Sequence, residues 1–195
     1  MKNKILSILI LLILILNSCN CVETHLTEEE KEWFSAYEKG QEIIFKSNRG
    51  NIDTIEVTEK METHGNKDCN WLEIGRIQEH IMRIKFKPKV CHNYSYCDGE
   101  IYISKDNEDK KAFPFFRIFG LEYVPDMKKM KLKEEKIKLE ITNKFYSLVC
   151  HFEDGINANG YGMDSPKSFY WDKKEGLIKY ELKDGEIFEL IKKIN

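Results

Sequence analysis

The chain has 195 residues, 31 Lys+Arg against 33 Asp+Glu, 42% hydrophobic and 12% aromatic residues, and six cysteines. That length fits one domain. Its near-cancelling charge provides no basic footprint for nucleic acid, and its apolar and aromatic content excludes wholesale disorder. Lysine supplies 27 of the 31 basic residues and alanine occurs only at positions 36, 112 and 158, the codon bias of AT-rich DNA. Lysine runs therefore carry little functional information here.

Lys2 and Lys4 precede an apolar run from Ile5 to Leu16 that only Ser7 interrupts. A basic start followed by a short apolar run is the pattern of a secretory signal peptide, read here over residues 1–18. A spanning helix needs ~20 apolar residues, so the run is too short for a permanent membrane span. Leu16-Asn17-Ser18-Cys19 closes it and resembles a bacterial lipobox. The resemblance implies a diacylglycerol thioether on Cys19, removal of the preceding peptide and acylation of the new amino terminus. One acyl chain holds a protein only marginally, whereas two or three anchor it stably. Asn20, where an Asp would be the usual inner-membrane retention signal, points to the outer membrane. The mature chain would keep 29 basic and 33 acidic residues, a charge of about −4.

Residues 19–27 are polar and read as a lipidated tether before a single globular domain over 28–195. Thr27 and Glu30 form a capping box for a helix over 28–38, with Trp33, Phe34 and Tyr37 on its apolar face and Gly40 as its stop. From Gln41 onward the period is two. Ile43 and Phe45 lead through Ser47–Asn51 to Ile55, Val57 and Met61, and Met82, Ile84 and Phe86 alternate with Arg83, Lys85 and Lys87 up to Pro88. Asp98-Gly99 turns into 100–104, Ile137, Leu139 and Ile141 alternate with charged neighbours, and 145–152 forms a further strand. Leu177–Leu182 and Glu186–Ile191 flank Lys183-Asp184-Gly185 as a closing hairpin. The expected fold is mainly β: an antiparallel meander, sandwich or open barrel with one short N-terminal helix. The opening segment from Phe45 and the closing segment from Ser168 resemble hairpins of β-rich lipoproteins from AT-rich Gram-negative bacteria. That resemblance implies architecture and no activity.

With Cys19 lipidated, five cysteines remain for an oxidising compartment. Cys91 with Cys97 would close a 7-residue loop and contribute about 2 kcal/mol; Cys69 with Cys150 would close 82 residues and contribute about 4.5 kcal/mol. Cys21 would be left over. Cysteines 69, 91 and 150 also have His64, His92 and His151 nearby, which raises zinc. No CxxC or HxxxH spacing supports it, and sequence neighbours on a strand point to opposite faces, so no metal ligands and no cofactor are assigned. No GxSxG, SxxK, HExxH or GxxxxGK occurs, leaving a Cys/His hydrolase as a third reading and no catalytic residue. The lysines from Lys128 to Lys138 alternate with Met130, Leu132 and Ile137 and read as one polar strand face, and Asp106–Asp109 as a solvated turn.

Ala112–Tyr123 is apolar on both faces of a strand, with Phe113 and Phe115 on one side and Phe116 and Ile118 on the other. It is either a doubly buried strand or a flap over a lipophilic ligand touching Phe113, Phe115, Phe116 and Phe119. The functional expectation is a non-enzymatic exported lipoprotein, membrane-held through Cys19, that binds another envelope protein or serves structurally. The alternative is a carrier or sensor of a lipophilic ligand in an open barrel.

Overall fold

A computed structural model describes residues 21–70, 75–89, 91, 97–125, 134–161 and 165–195. The signal-peptide segment, Cys19, His92 and residues 126–133 lie outside the described residues. The fold is mainly β. In chain order the elements are β1 (Val22–Glu23), α1 (Glu28–Lys31) running into a 3-10 turn (Glu32–Phe34), β2 (Glu42–Ser47), β3 (Ile52–His64), β4 (Ile77–Gln78), β5 (His80–Pro88), β6 (Gly99–Lys105), β7 (Phe115–Ile118), β8 (Leu121–Tyr123), β9 (Glu134–Lys138), β10 (Phe145–Glu153), β11 (Asn159–Gly160), β12 (Ser168–Asp172), β13 (Gly176–Glu181) and β14 (Ile187–Ile194). Strands β1 and β4 form a small parallel pair. The other twelve form one antiparallel sheet in the order β11-β8-β7-β6-β5-β3-β2-β14-β13-β12-β10-β9.

Strands β10 and β11 are consecutive in the chain yet lie near opposite ends of that order. Only residues 154–158 join them, too few to cross a flat twelve-stranded sheet at about 4.8 Å per strand. The sheet therefore curls into a half-barrel that brings its ends together. Phe116 of β7 meets Phe152 of β10 at 4.9 Å between ring centroids, and the Tyr161 N–H donates to the Gly120 carbonyl at 2.7 Å.

The capping box forms as its spacing predicts: the Glu30 N–H donates to Thr27 Oγ1, and Thr27 N–H donates back to the Glu30 carboxylate. The expected helix over 28–38 is shorter, because α1 is a single turn tightening into 3-10 structure. Trp33, Phe34 and Tyr37 are all buried, so this segment plugs the concave face of the sheet instead of lying amphipathically on its surface. Tyr37 packs edge-on against Phe86 and Trp171, and Trp33 against Phe116. The half-barrel interior is thus filled by the protein's own aromatic side chains.

The Tyr37 hydroxyl also accepts the Leu177 N–H at 2.6 Å. It sits where a Cβ on Gly176 would be, and Gly176 holds φ +79°. Gly176→Ala is expected to cost about 3 kcal/mol from left-handed strain and overlap together, read as a lowered midpoint in urea unfolding.

Two expectations about the amino-terminal region are corrected. Residues 21–27 are not a free tether. Val22 N–H donates to Arg76 O and Thr24 N–H to Gln78 O, while Thr24 and Leu26 are buried. Cys21 is not left over either. It forms a disulfide with Cys69, at a Cα–Cα distance of 5.6 Å, which excludes the Cys69–Cys150 pairing. Cys150 is instead buried within β10, in register with Trp171. By the chain-entropy estimate, the Cys21–Cys69 link across a sequence separation of 48 contributes about 4 kcal/mol. Cys91 and Cys97 are joined in a second disulfide.

The aromatic stretch is a hairpin, not one continuous strand. Phe119 and Gly120 both take positive φ, +51° and +88°, and join β7 to β8 as a two-residue turn. Phe119 packs its ring on Tyr180, 5.4 Å between centroids. The alternation expected through Ile141 ends earlier, with β9 stopping at Lys138 and a turn beginning at Glu140.

Candidate metal centre

The strap of residues 21–27 lies across the ends of β3 and β5, and three imidazoles meet where it crosses. His64 closes β3 and His80 opens β5, and the two are direct cross-strand partners. Antiparallel partners project to the same side of a sheet. Their rings stack with centroids 4.5 Å apart. His25, on the strap, approaches edge-on at 5.4 Å from His64 and 6.2 Å from His80. One ring nitrogen from each lies within 4.8 Å of the others. Among the described residues no other three His, Cys, Asp or Glu side chains come together in this way.

Hydrogen bonds fix two of the three rings. His64 Nε2 lies 3.1 Å from the Thr24 carbonyl oxygen, which can only accept, so Nε2 carries the proton and Nδ1 has its lone pair. His80 Nδ1 accepts the Leu26 N–H at 3.0 Å, so its proton is on Nε2, which donates to the Glu62 carboxylate at 3.0 Å. Glu62 is itself held by Lys31 at 3.1 Å. The hydrogen bond from Lys31 keeps the Glu62 carboxyl below its usual pKa, with His80 adding to the effect. Burial pushes the His80 imidazole down, only partly countered by Glu62. Acceptance of the Leu26 N–H at Nδ1 matches the neutral ring. The His25 backbone N–H donates to Glu108 at 2.8 Å, and its side chain is exposed.

The residues singled out from the sequence are placed elsewhere. His151 stacks on Tyr170 with ring centroids 4.2 Å apart and lies 3.5 Å from Glu135, far along the sheet order from His64. Of the two described histidines considered beside cysteines, His64 joins the cluster and His151 does not; the companions of His64 are His25 and His80. Cys69 is committed to its disulfide with Cys21, and Cys91 to Cys97. Cys150 and His151, as neighbours on β10, face opposite sides of the sheet. The four phenylalanines do not line one surface. Phe116 and Phe119 are in the core, Phe115 is half-buried on the opposite face of β7, and Phe113 lines a surface recess together with Ser104, Lys105 and Pro125, with the Lys111 ammonium 5.5 Å from its ring. The exposed lysines Lys136 and Lys138 lie on the edge strand β9, where charge discourages pairing with another chain.

The histidine cluster escaped the sequence reading because its members are 39 and 16 positions apart. The available signal was that His64 ends one alternating stretch and His80 begins another, but register across the intervening loop cannot be read from periodicity. No protein family, curated protein or solved structure matches the chain.

Proposed function

We propose that the protein is an exported lipoprotein, lipid-anchored at Cys19 and destined for the outer membrane, whose domain has a non-enzymatic binding or structural role in the cell envelope. The observation that carries this reading is the lipobox placed directly before a disulfide-fixed strap: Cys19 is two residues from Cys21, and Cys21 is bonded to Cys69. Two residues reach at most ~7 Å, so an acylated Cys19 would hold the domain against the bilayer surface with almost no slack. Disulfides at Cys21–Cys69 and Cys91–Cys97 suit an oxidising compartment outside the cytoplasm. The aromatic filling of the half-barrel argues for a partner bound at the surface over a lipophilic ligand held inside.

The test is Cys19→Ala with radiolabelled palmitate and membrane fractionation. The expected result is loss of label together with an unprocessed precursor or a soluble domain. A mature-sized, membrane-bound variant would overturn the anchor. Crosslinking of the parent in intact envelopes, followed by mass spectrometry, then identifies the neighbouring component.

A further inference from the structure

We propose that His25, His64 and His80 form a binding site for a borderline divalent transition ion, Zn²⁺ or Cu²⁺, which ties the amino-terminal strap to the sheet. Imidazole nitrogen is a preferred donor for both ions, and three imidazoles from three separate segments converge here. The outer hydrogen bonds fit that role. Histidines that bind metals ordinarily donate their second ring N–H to a carboxylate or a backbone carbonyl. His80 donates Nε2–H to Glu62 and His64 donates Nε2–H to the Thr24 carbonyl, so both rings present Nδ1. Lys31 holds Glu62 in position from the far side. No hydrogen bond from the His25 ring is formed among the described residues, which leaves that ring able to turn toward its two neighbours.

Nitrogens bound to one tetrahedral ion at about 2.0–2.1 Å lie about 3.4 Å apart, so three rings that already place one nitrogen each within 4.8 Å close on an ion by ring rotation, easiest for the exposed His25. One bond must be exchanged. The ion takes the His80 Nδ1 lone pair that now accepts the Leu26 N–H, and the Nε2–H to Glu62 stays in place. The Nε2 hydrogen bonds of His64 and His80 can both stay in place while Nδ1 takes the ion. Loading the site therefore exchanges the Leu26 hydrogen bond for a link through His25, on the same strap. This inference does not depend on lipidation.

The experiment uses the full chain in detergent, stripped with a chelator and titrated separately with Zn²⁺ and Cu²⁺ against a chromophoric competitor. One ion per chain is expected, with Cu²⁺ bound more tightly than Zn²⁺. His25→Ala removes an exposed ring and should fold normally while weakening both ions at least tenfold. His64→Gln should do the same, and His151→Ala should match the parent. Addition of Zn²⁺ should raise the melting temperature of the parent and leave that of His25→Ala unchanged. Stoichiometric binding unaffected by His25→Ala and His64→Gln, or no saturable binding of either ion below 100-fold excess, would overturn the site.

Discussion

Replacing Glu30 with Ala should cost about 3–5 kcal/mol, enough to leave the domain largely unfolded at ordinary marginal stability. Glu30 is 2% exposed and does three jobs at once. It closes the capping box on Thr27, it accepts the Ala112 N–H at 2.6 Å, and it pairs with the buried Lys105 ammonium at 3.1 Å. Its removal strands a buried charge and two backbone donors, each of which is expensive without a partner. The contribution of the pair itself is separated by the double variant Glu30→Leu with Lys105→Met, which should recover much of the loss because no unpaired charge remains. Urea unfolding of the parent, Glu30→Leu, Lys105→Met and the double variant measures this as a double-mutant cycle. If Glu30→Ala shifts the midpoint by less than the equivalent of 1 kcal/mol, the buried pair contributes little.

The same carboxylate makes a pH prediction. Burial pushes the Glu30 carboxyl up, but the hydrogen bonds from Thr27, Ala112 and Lys105 together bring it below its ordinary value near 4.5. A carboxylate lowered on folding stabilises the folded state above the unfolded pKa, and that stability is lost as pH falls through the folded one. The parent should therefore lose stability on acidification below about pH 4.5, more steeply than Glu30→Gln, which has no group to titrate there.

The second large effect is expected at Phe116. Its ring is fully buried and surrounded by Trp33, Phe152 and Trp171 with centroids 5.8, 4.9 and 5.1 Å away. Phe116→Ala would leave a cavity that these large, rigid neighbours cannot fill, costing about 3–5 kcal/mol. Phe115 is only half-buried on the opposite face of β7, so Phe115→Ala should cost a fraction of that. Thermal melting of both variants beside the parent tests the difference. It also separates a filled core from a lipophilic cavity: a mild Phe116→Ala that loses binding of a hydrophobic dye would restore the carrier reading.

The contrast between these two phenylalanines shows how much was legible in advance. Strict alternation places Phe115 and Phe116 on opposite faces, and it also marks β2, β3 and β5, because one buried face imposes a period of two; β13 and β14 were marked instead by the turn between them. The capping box was equally visible, since Thr27 and Glu30 act within one turn. The hairpin at Phe119-Gly120 was hidden because a bulky residue occupies a positive-φ position where Asn is usual, its ring stabilised by tertiary contact with Tyr180. The same limitation hid Cys21–Cys69 and the histidine cluster. Both are created by a strap of residues whose polar sequence, read locally, has no reason to dock; the partners it finds at Gln78 and His80 belong to a different part of the chain.

The position of β14 has a kinetic consequence. It is the last strand of the chain, yet it lies in the interior of the sheet, with β13 on one side and β2 on the other. The pairing of Ile43 with Lys193 closes almost the whole domain into one loop. The two halves, β2–β8 and β12–β13, can each form hairpins locally and meet at the far rim through Phe116 and Phe152, but β2 and β13 are bridged only by β14. Such distant pairings fold slowly, because the loop entropy is lost before the contacts that offset it are made. Before β14 docks, β2 and β13 each have an open edge, and the placing of this one strand covers both at once.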